Sequence, residues 1–426
     1  MFSRRIQEIL YPFYDRLPPR VRAFVSSVVP VFFFLKRGLF FLSQFRLPVY
    51  LLEGKEKWGG DNLAVVFLGD EKGVLFLSNL LYSGEPATRN LGKVFIWRIK
   101  SRLNLDLPRI DLIFIKLDGL FSRWLGRRGF IIMPEWVLFV INLSRPLRET
   151  WNLSKKRNKS LRENLRRIKK DNYSYELTQE PGKFGYFYYQ MYLPYVTKRF
   201  EELTLLTSFR EMERAFKKGQ LLLVKRGDRY VSGNVVRVDH DHVIVPYLGI
   251  TEGRIEYLKA GALTALYYFT ILWAKEGGYR WIDFGHSRSL LKDGSFKFKK
   301  HWGMEIKMSA RLRDVFGIRI CNFHPGVQSF LERNPFVFID EGKLKGLVLA
   351  AQNHPLTLGE VQSFVKSGSI PGLDCLTILS DQGFAQEAVE FSFSHQGLHL
   401  ISKKPDAFFE AFPYSLRNVR SEEKTV

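Results

Sequence analysis

A chain of 426 residues exceeds what one hydrophobic core organises, which predicts two or three domains; 46% hydrophobic and 25% charged residues, with 33 Gly and 18 Pro, argue against a fibrous or largely disordered chain. Two cysteines, Cys321 and Cys375, with no CxxC pair, argue against a disulfide framework or a zinc site and fit a reducing compartment. The balance of 65 Lys+Arg against 43 Asp+Glu, a formal charge of +22, favours a polyanionic partner (nucleic acid, phosphorylated cofactor or anionic membrane) over a merely basic, solvated surface.

Taken in chain order, residues 1–55 read as a basic and aromatic helical segment. Pro30 and Lys36-Arg37-Gly38 interrupt its apolar part well short of the roughly 20 residues needed to span a bilayer. No small-residue cleavage site follows Phe40-Phe41-Leu42, so retention inside the cell is expected. Basic residues mixed with Phe32, Phe33, Phe34, Phe40 and Phe41 suit an anionic membrane surface, or equally a pair of core-packing helices. Residues 56–153 alternate strand-like runs (Leu63–Leu68, Ile110–Leu117, Trp136–Leu143) with the more helical Val94–Leu103, a first α/β domain.

A second α/β domain is expected over 154–324. Leu161, Leu165 and Ile168 put one apolar stripe on a helix that has nine basic residues and one acid between Lys155 and Lys170; it reads either as phosphate-facing or as a solvated linker. After a strand at Tyr173–Leu177 and helices near Lys183–Lys198 and Ser208–Lys218, the runs Leu221–Lys225, Tyr230–Val238 and His242–Leu248 form an antiparallel meander. A helix from Ala260 to Lys275 stops at Gly277-Gly278, and a short strand follows at Trp281–Phe284. Residues 325–426 read as a small α/β extension with a strand at Leu344–Ala350, a helix near Leu358–Lys366, a strand at Cys375–Leu379 and an alternating run at Val389–Phe393.

Three places can carry chemistry. Asp239-His240-Asp241-His242 has the His-x-His spacing of a metal site, but it sits in a hairpin turn that favours Asp for itself, and no third ligand is evident; no metal is expected. Asp283-Phe284-Gly285-His286-Ser287 ends a strand, where α/β sheets place their sites; without a Gly-x-Ser-x-Gly elbow it is no hydrolase triad. Gly253, Arg254, Lys259 and Gly261 precede a helix whose free amides favour an anion, and Phe296 to Gly303 alternates aromatics with Lys297, Lys299 and Lys300, either a cationic face for phosphate or an ordinary edge or loop.

In their order these pieces resemble the second domain of FemAB-like transferases of the GNAT superfamily. The resemblance covers about 150 residues: Ser160 to Arg167 after Val140-Ile141-Asn142-Leu143, Tyr247-Leu248-Gly249, Ala262 to Tyr267 with Trp273 to Gly278, Ile282-Asp283-Phe284-Gly285, and a run like Phe-Lys-x-x-Trp-Gly ending at Gly303. It implies an α/β (α+β) fold of tandem GNAT-like domains with mixed, largely antiparallel sheets flanked by helices, the first unit short, plus the C-terminal extension. In such a fold two strands splay, the acyl donor lies between them, and its phosphate meets the next helix start. It implies an acyltransferase that passes an acyl group from acyl-CoA or acetyl-CoA to an amine or hydroxyl of a cell-envelope precursor or glycan, at the cytoplasmic face of the membrane. Asp283 would be the base and Tyr247 the acid or hydrogen-bond donor; Gly249, Gly253, Arg254, Lys259 and Gly261 would meet the donor, and Lys297, Lys300 and Arg166 the phosphates of donor or acceptor. The usual Arg/Gln-x-x-Gly-x-Gly/Ala phosphate loop is absent, which keeps two alternatives open: an aminoacyl-tRNA donor, or a catalytically degenerate membrane-associated binding protein. A coiled-coil arm of the kind some tRNA-using relatives carry is also absent, which favours acyl-CoA. Nucleic-acid binding otherwise rests on charge alone, with no reader motif for specific DNA recognition.

Overall fold

The computed structural model of the chain describes residues 45–98, 110–147, 151, 159–200 and 206–410. The basic and aromatic segment, read as lying on a membrane surface or as a pair of core-packing helices, falls almost wholly outside them. What is described of it begins at Phe45 and runs into a strand, β1 (Arg46–Lys55), in place of the helix expected there.

The first half continues with β2 (Asn62–Leu68), α1 (Glu71–Leu81), β3 (Ala87–Phe95), β4 (Leu112–Asp118), α2 (Ser122–Gly126), β5 (Ile131–Pro134) and β6 (Trp136–Asn142). Of the helical period read at Val94–Leu103, residues 99–103 lie outside the described residues; Val94 and Phe95 end β3, and Ile96–Arg98 form a short 3-10 helix, with Val94 and Ile96 buried. The second half has α3 (Lys159–Lys170), β7 (Tyr173–Thr178), α4 (Pro181–Tyr186) running through a π-turn at Phe187–Tyr192 into α5 (Leu193–Phe200), and α6 (Phe209–Lys217). The meander β8 (Gly219–Arg226), β9 (Arg229–Asp239) and β10 (His242–Ile250) follows. Next come α7 (Ile255–Lys259), α8 (Ala262–Glu276), β11 (Trp281–Arg288), α9 (Gly294–His301), β12 (Glu305–Met308) and β13 (Asp314–Ile320). The last stretch is α10 (Pro325–Arg333), β14 (Phe336–Asp340), β15 (Lys343–Leu349), α11 (Leu358–Gly368), β16 (Cys375–Ser380), α12 (Gln386–Ser394), β17 (Leu398–Ser402) and α13 (Pro405–Glu410). The alternating run at Val389–Phe393 therefore lies in helix α12.

Among the described residues the strands form two sheets, ordered β17-β16-β15-β14-β5-β13-β4-β2-β1-β3 and β12-β6-β11-β10-β9-β8-β7. Each contains a parallel pair bordered by antiparallel strands, β2 with β4 by way of α1 and β3, and β10 with β11 across α8; the first sheet also pairs β15, β16 and β17 in parallel. This is the tandem GNAT-like order. The halves also trade strands: β6 enters the second sheet between β11 and β12, while β13 returns to the first between β4 and β5. Sequence boundaries at 153 and 324 therefore do not coincide with the sheets, and β14 to β17 extend the first sheet.

Burial explains the layers. Helix α8 is apolar nearly all round, and its buried Ala265, Leu266, Tyr267, Phe269 and Ile271 fill the space against the second sheet. Asn234 Nδ2 donates to Thr270 Oγ1 on this helix at 2.8 Å, and Thr270 donates in turn to the Leu266 carbonyl at 2.7 Å. The crossings carry charge. Glu135, the single residue between β5 and β6, accepts from Arg288 at 2.7 Å and lies 3.2 Å from Lys116. Burial, reinforced by Glu135, Asp118 and Asp70 against the pull of Lys116, raises the Asp314 carboxyl to about 6. A carboxyl raised on folding is disfavoured when ionised, so Asp314 lowers stability above pH 6, and that penalty fades as pH falls towards its unfolded value near 3.8. Asp314→Asn is expected to raise Tm at pH 7.5 and to leave it unchanged near pH 4; an equal shift at both would refute this charge assignment.

Candidate functional site

Strands β10 and β11 pair only over His242↔Trp281, Val243↔Ile282 and Ile244↔Asp283. Beyond that point each follows its other neighbour, β10 through an irregularity between Ile244 and Tyr247 and β11 through one between Asp283 and His286. The strands part there, opening a cleft at their C-terminal ends. Tyr247 stands on one wall, 5.9 Å edge-on to Tyr192. Burial and the Glu211 carboxylate raise its hydroxyl, so it stays protonated and able to donate. Asp283 stands where the strands separate and accepts the Gly285 N–H at 2.6 Å.

His286 and Ser309 form the other wall, Nε2 to Oγ 2.9 Å. The Ser309 oxygen already accepts the N–H groups of Arg311 and Leu312, which leaves its own proton for His286 Nε2 and puts the imidazole hydrogen on Nδ1. Burial, opposed by Asp283 and assisted by Lys299 and Arg311, lowers the His286 pKa and keeps the ring neutral at pH 7. Arg311 is exposed, and its charge acts on both Tyr247 and His286.

The run Asp293 to Gly303 is a helix, not an edge or loop. Asp293 caps it by accepting the Phe296 N–H, and Phe296 and Trp302 are buried, Phe296 edge-on to Phe139 at 5.0 Å. Helical spacing then turns Lys299 inward with Phe296. Lys299 is 4% exposed, donates to the His286 carbonyl at 2.9 Å and lies 5.2 Å over the Phe139 ring. Desolvation, only partly countered by Asp283 and Asp293, lowers its ammonium to about 7.

Other candidates lie elsewhere. Lys300 donates to the carbonyls of Lys366 and Ser367, tying α9 to the end of α11, and Lys297 is exposed. Gly249 faces the π-turn so closely that a Cβ would stand 2.5 Å from the Tyr192 nitrogen, which gives it a packing role; Gly253, at φ +60°, meets the Pro194 carbonyl in the same way. Arg254 is held by Glu252, and Lys259 ends α7. Gly261, at φ +96° with open space around it, leads into α8. Beside that helix start, Tyr173 donates to the Ala260 carbonyl and feels the charges of Arg226 and Arg167. Arg166, Arg167 and Lys170 border a surface hollow of about 430 Å³ with Glu163 and Asp171. The hairpin histidines turn to their own neighbours, His240 to Asp239 and His242 to Asp241.

A hollow of about 600 Å³ lies at the other end of the first sheet's parallel pair, beside Asp111, Asn322 and His324. Its central carboxylate is engaged in holding chain segments, accepting from Ala64 N and Asn322 Nδ2, so volume is a poorer guide here than the parting of β10 and β11.

Strand order, parted parallel pair and following helix agree with the tandem GNAT-like arrangement expected from the sequence. No protein-family model and no curated protein matches the chain. Among solved structures it is similar to FemX, at 14% identity and a TM-score of 0.33 over 62% of this chain and 83% of that one. It is also similar to L-PGS from Bacillus licheniformis, at 12% identity and 0.34 over 66% and 88%. A third is the C-terminal domain (DUF2156) of a lysylphosphatidylglycerol synthetase, described as putative, from Agrobacterium fabrum, at 11% and 0.31 over 67% and 84%.

Proposed function

We propose that the protein is an acyltransferase whose reaction takes place in the cleft between β10 and β11. The observation that carries this reading is the parting of those strands beyond Ile244 and Asp283, supported by the Arg311 charge acting on both Tyr247 and His286. The acyl carbonyl of the donor would lie between the strands, with the donor phosphates near Gly261 and the arginines around Tyr173. An amine or hydroxyl of an envelope precursor or glycan attacks that carbonyl. The new C–N or C–O bond forms as the bond to sulfur breaks, Asp283 accepts the proton of the nucleophile, and Tyr247 protonates the departing thiolate. The charges of Lys299 and Arg311 favour the oxyanion that develops on the way. The donor proposed is acyl-CoA, acetyl or longer.

A second donor, aminoacyl-tRNA, is favoured by the surface that carries Arg166, Arg167 and Lys170. Thermal-shift and calorimetric titration with acetyl-CoA, longer acyl-CoAs, CoA and aminoacyl-tRNA separates the two, since a ligand that binds only the native state raises its Tm. Saturable binding of an acyl-CoA supports the first reading and of aminoacyl-tRNA the second; folded protein that binds neither is a binding protein without this activity. Asp283→Asn, with the fold intact, is expected to lower turnover at least about tenfold. A rate equal to the parent's would remove Asp283 as the base.

A further inference from the structure

We infer that the β3 edge of the first sheet docks on an anionic lipid bilayer. The inference stands apart from the acyl-transfer reading and goes beyond it. Strand β3 ends that sheet; Phe95, 39% exposed, points away from the buried Val94, and Leu91 is 40% exposed. Trp97 follows at 58% exposure, stacked on Phe95 at 4.9 Å. Phe45 joins them, its ring 5.9 Å from Trp97 and 5.8 Å from Phe121, and the neighbouring Leu120 is 65% exposed. The register that pairs Asp314 with Asp118 carries the rim onward: Gly119 packs against the Arg313 carbonyl, and Leu312 is 40% exposed.

Such a continuous row of large exposed apolar side chains is unusual on a soluble surface. Its charge identifies the occupant. The turn and helix from Gly119 to Arg128 contain Arg123, Arg127 and Arg128 and no acid, and the link from Ser309 to Arg313 contains Arg311 and Arg313 and no acid. Arg46 lies over the Phe95 ring at 5.6 Å and Arg128 over Trp124 at 3.9 Å, so cations and rings share one surface. Tryptophan beside arginine suits the headgroup level of a bilayer, where the ring is half-buried and the guanidinium meets phosphate. A further observation points the same way: residues 1–44, with their arginines and phenylalanine clusters, join the described chain at Phe45, within this row. Arg311 links the rim to the cleft, since its charge acts on Tyr247 and His286.

The test is co-sedimentation of the full chain with vesicles of phosphatidylcholine alone and with about 30% phosphatidylglycerol. Binding is expected to the anionic vesicles, to be weakened by 0.5 M salt, and to fall about tenfold in Trp97→Ala/Leu120→Ala and in Arg123→Gln/Arg127→Gln/Arg128→Gln. All these side chains are partly or fully exposed, and far-ultraviolet circular dichroism checks that the variants fold. Quenching of tryptophan fluorescence by brominated lipid, reduced in Trp97→Phe, reads the contact directly. Parent protein that ignores anionic vesicles, equal affinity for neutral ones, or patch variants that bind like the parent would each overturn the inference. In the last case the attraction belongs to another part of the chain.

Discussion

Lys299→Met is expected to lower transfer about 100-fold while the protein stays folded, the magnitude seen when one group that stabilises a developing oxyanion is removed. Methionine has about the volume of lysine without its charge, so the space beneath His286 stays filled. Two readouts separate an electrostatic role from a packing one. The first is rate against pH: an ammonium with a folded pKa of about 7 loses its proton as pH rises through 7, so the parent rate should decline there, and the decline should vanish in the variant. The second is stability. The folded pKa lies below the unfolded value of 10.5, so the cost of burying the charge is fully present below pH 7 and shrinks as pH climbs towards 10.5. The variant should therefore gain in Tm relative to the parent at pH 6 and lose that gain by about pH 10. Loss of the hydrogen bond to the His286 carbonyl, about 1 kcal/mol, offsets it equally at every pH. A Tm difference that does not move with pH would show that Lys299 is not a buried charge, and an unchanged rate would remove it from the site.

Lys299 also marks where sequence reading stops. The meander, the helix before Gly277-Gly278 and the strand at Asp283 were legible because alternation and glycine stops are local signals. In Phe296-Lys297-Phe298-Lys299 the same alternation imitates a strand, and Lys297 and Lys300 stood out as the cations. The structure makes this run a helix under an Asp293 cap, with Lys299 inside and Lys300 spent on α11. The cap itself was a readable cue: Asp followed by Gly-Ser-Phe fits a helix start, whose period pairs 299 with the apolar 296. The strand exchange could not be read in this way. Val137, Phe139 and Ile141 specify a strand with one buried face, but that pattern does not name the sheet that buries it. The same holds for Arg311, whose value comes from the crossing that carries it beside Tyr247.

Glu135→Ala is expected to destabilise the protein by about 3 kcal/mol, the largest loss from one side chain at the strand crossing. Glu135 is 8% exposed and lies between Arg288 and Lys116, whose side chains are 21% and 13% exposed. Removing the carboxylate takes from Arg288 the acid that faces it and leaves Lys116 with Asp70 at 3.3 Å, and the cost is that of uncompensated charge more than of the lost contact. The Arg288 guanidinium cannot turn away easily, because it is held 4.0 Å over the Trp136 ring and 4.2 Å over Phe76. Glu135→Gln keeps the shape and should cost less. Both sheets should melt in one transition at lower denaturant, since β6 and β13 belong to one half in sequence and to the other in space. Two separated transitions would mean that the exchanged strands do not couple the halves. Asp314 supplies the opposite sign from the same cluster: it crowds other carboxylates with Lys116 alone in its favour, so neutralising it helps above pH 6 where neutralising Glu135 harms. Net charge at the crossing cannot produce both results; only the pairing of each carboxylate with its own neighbours does.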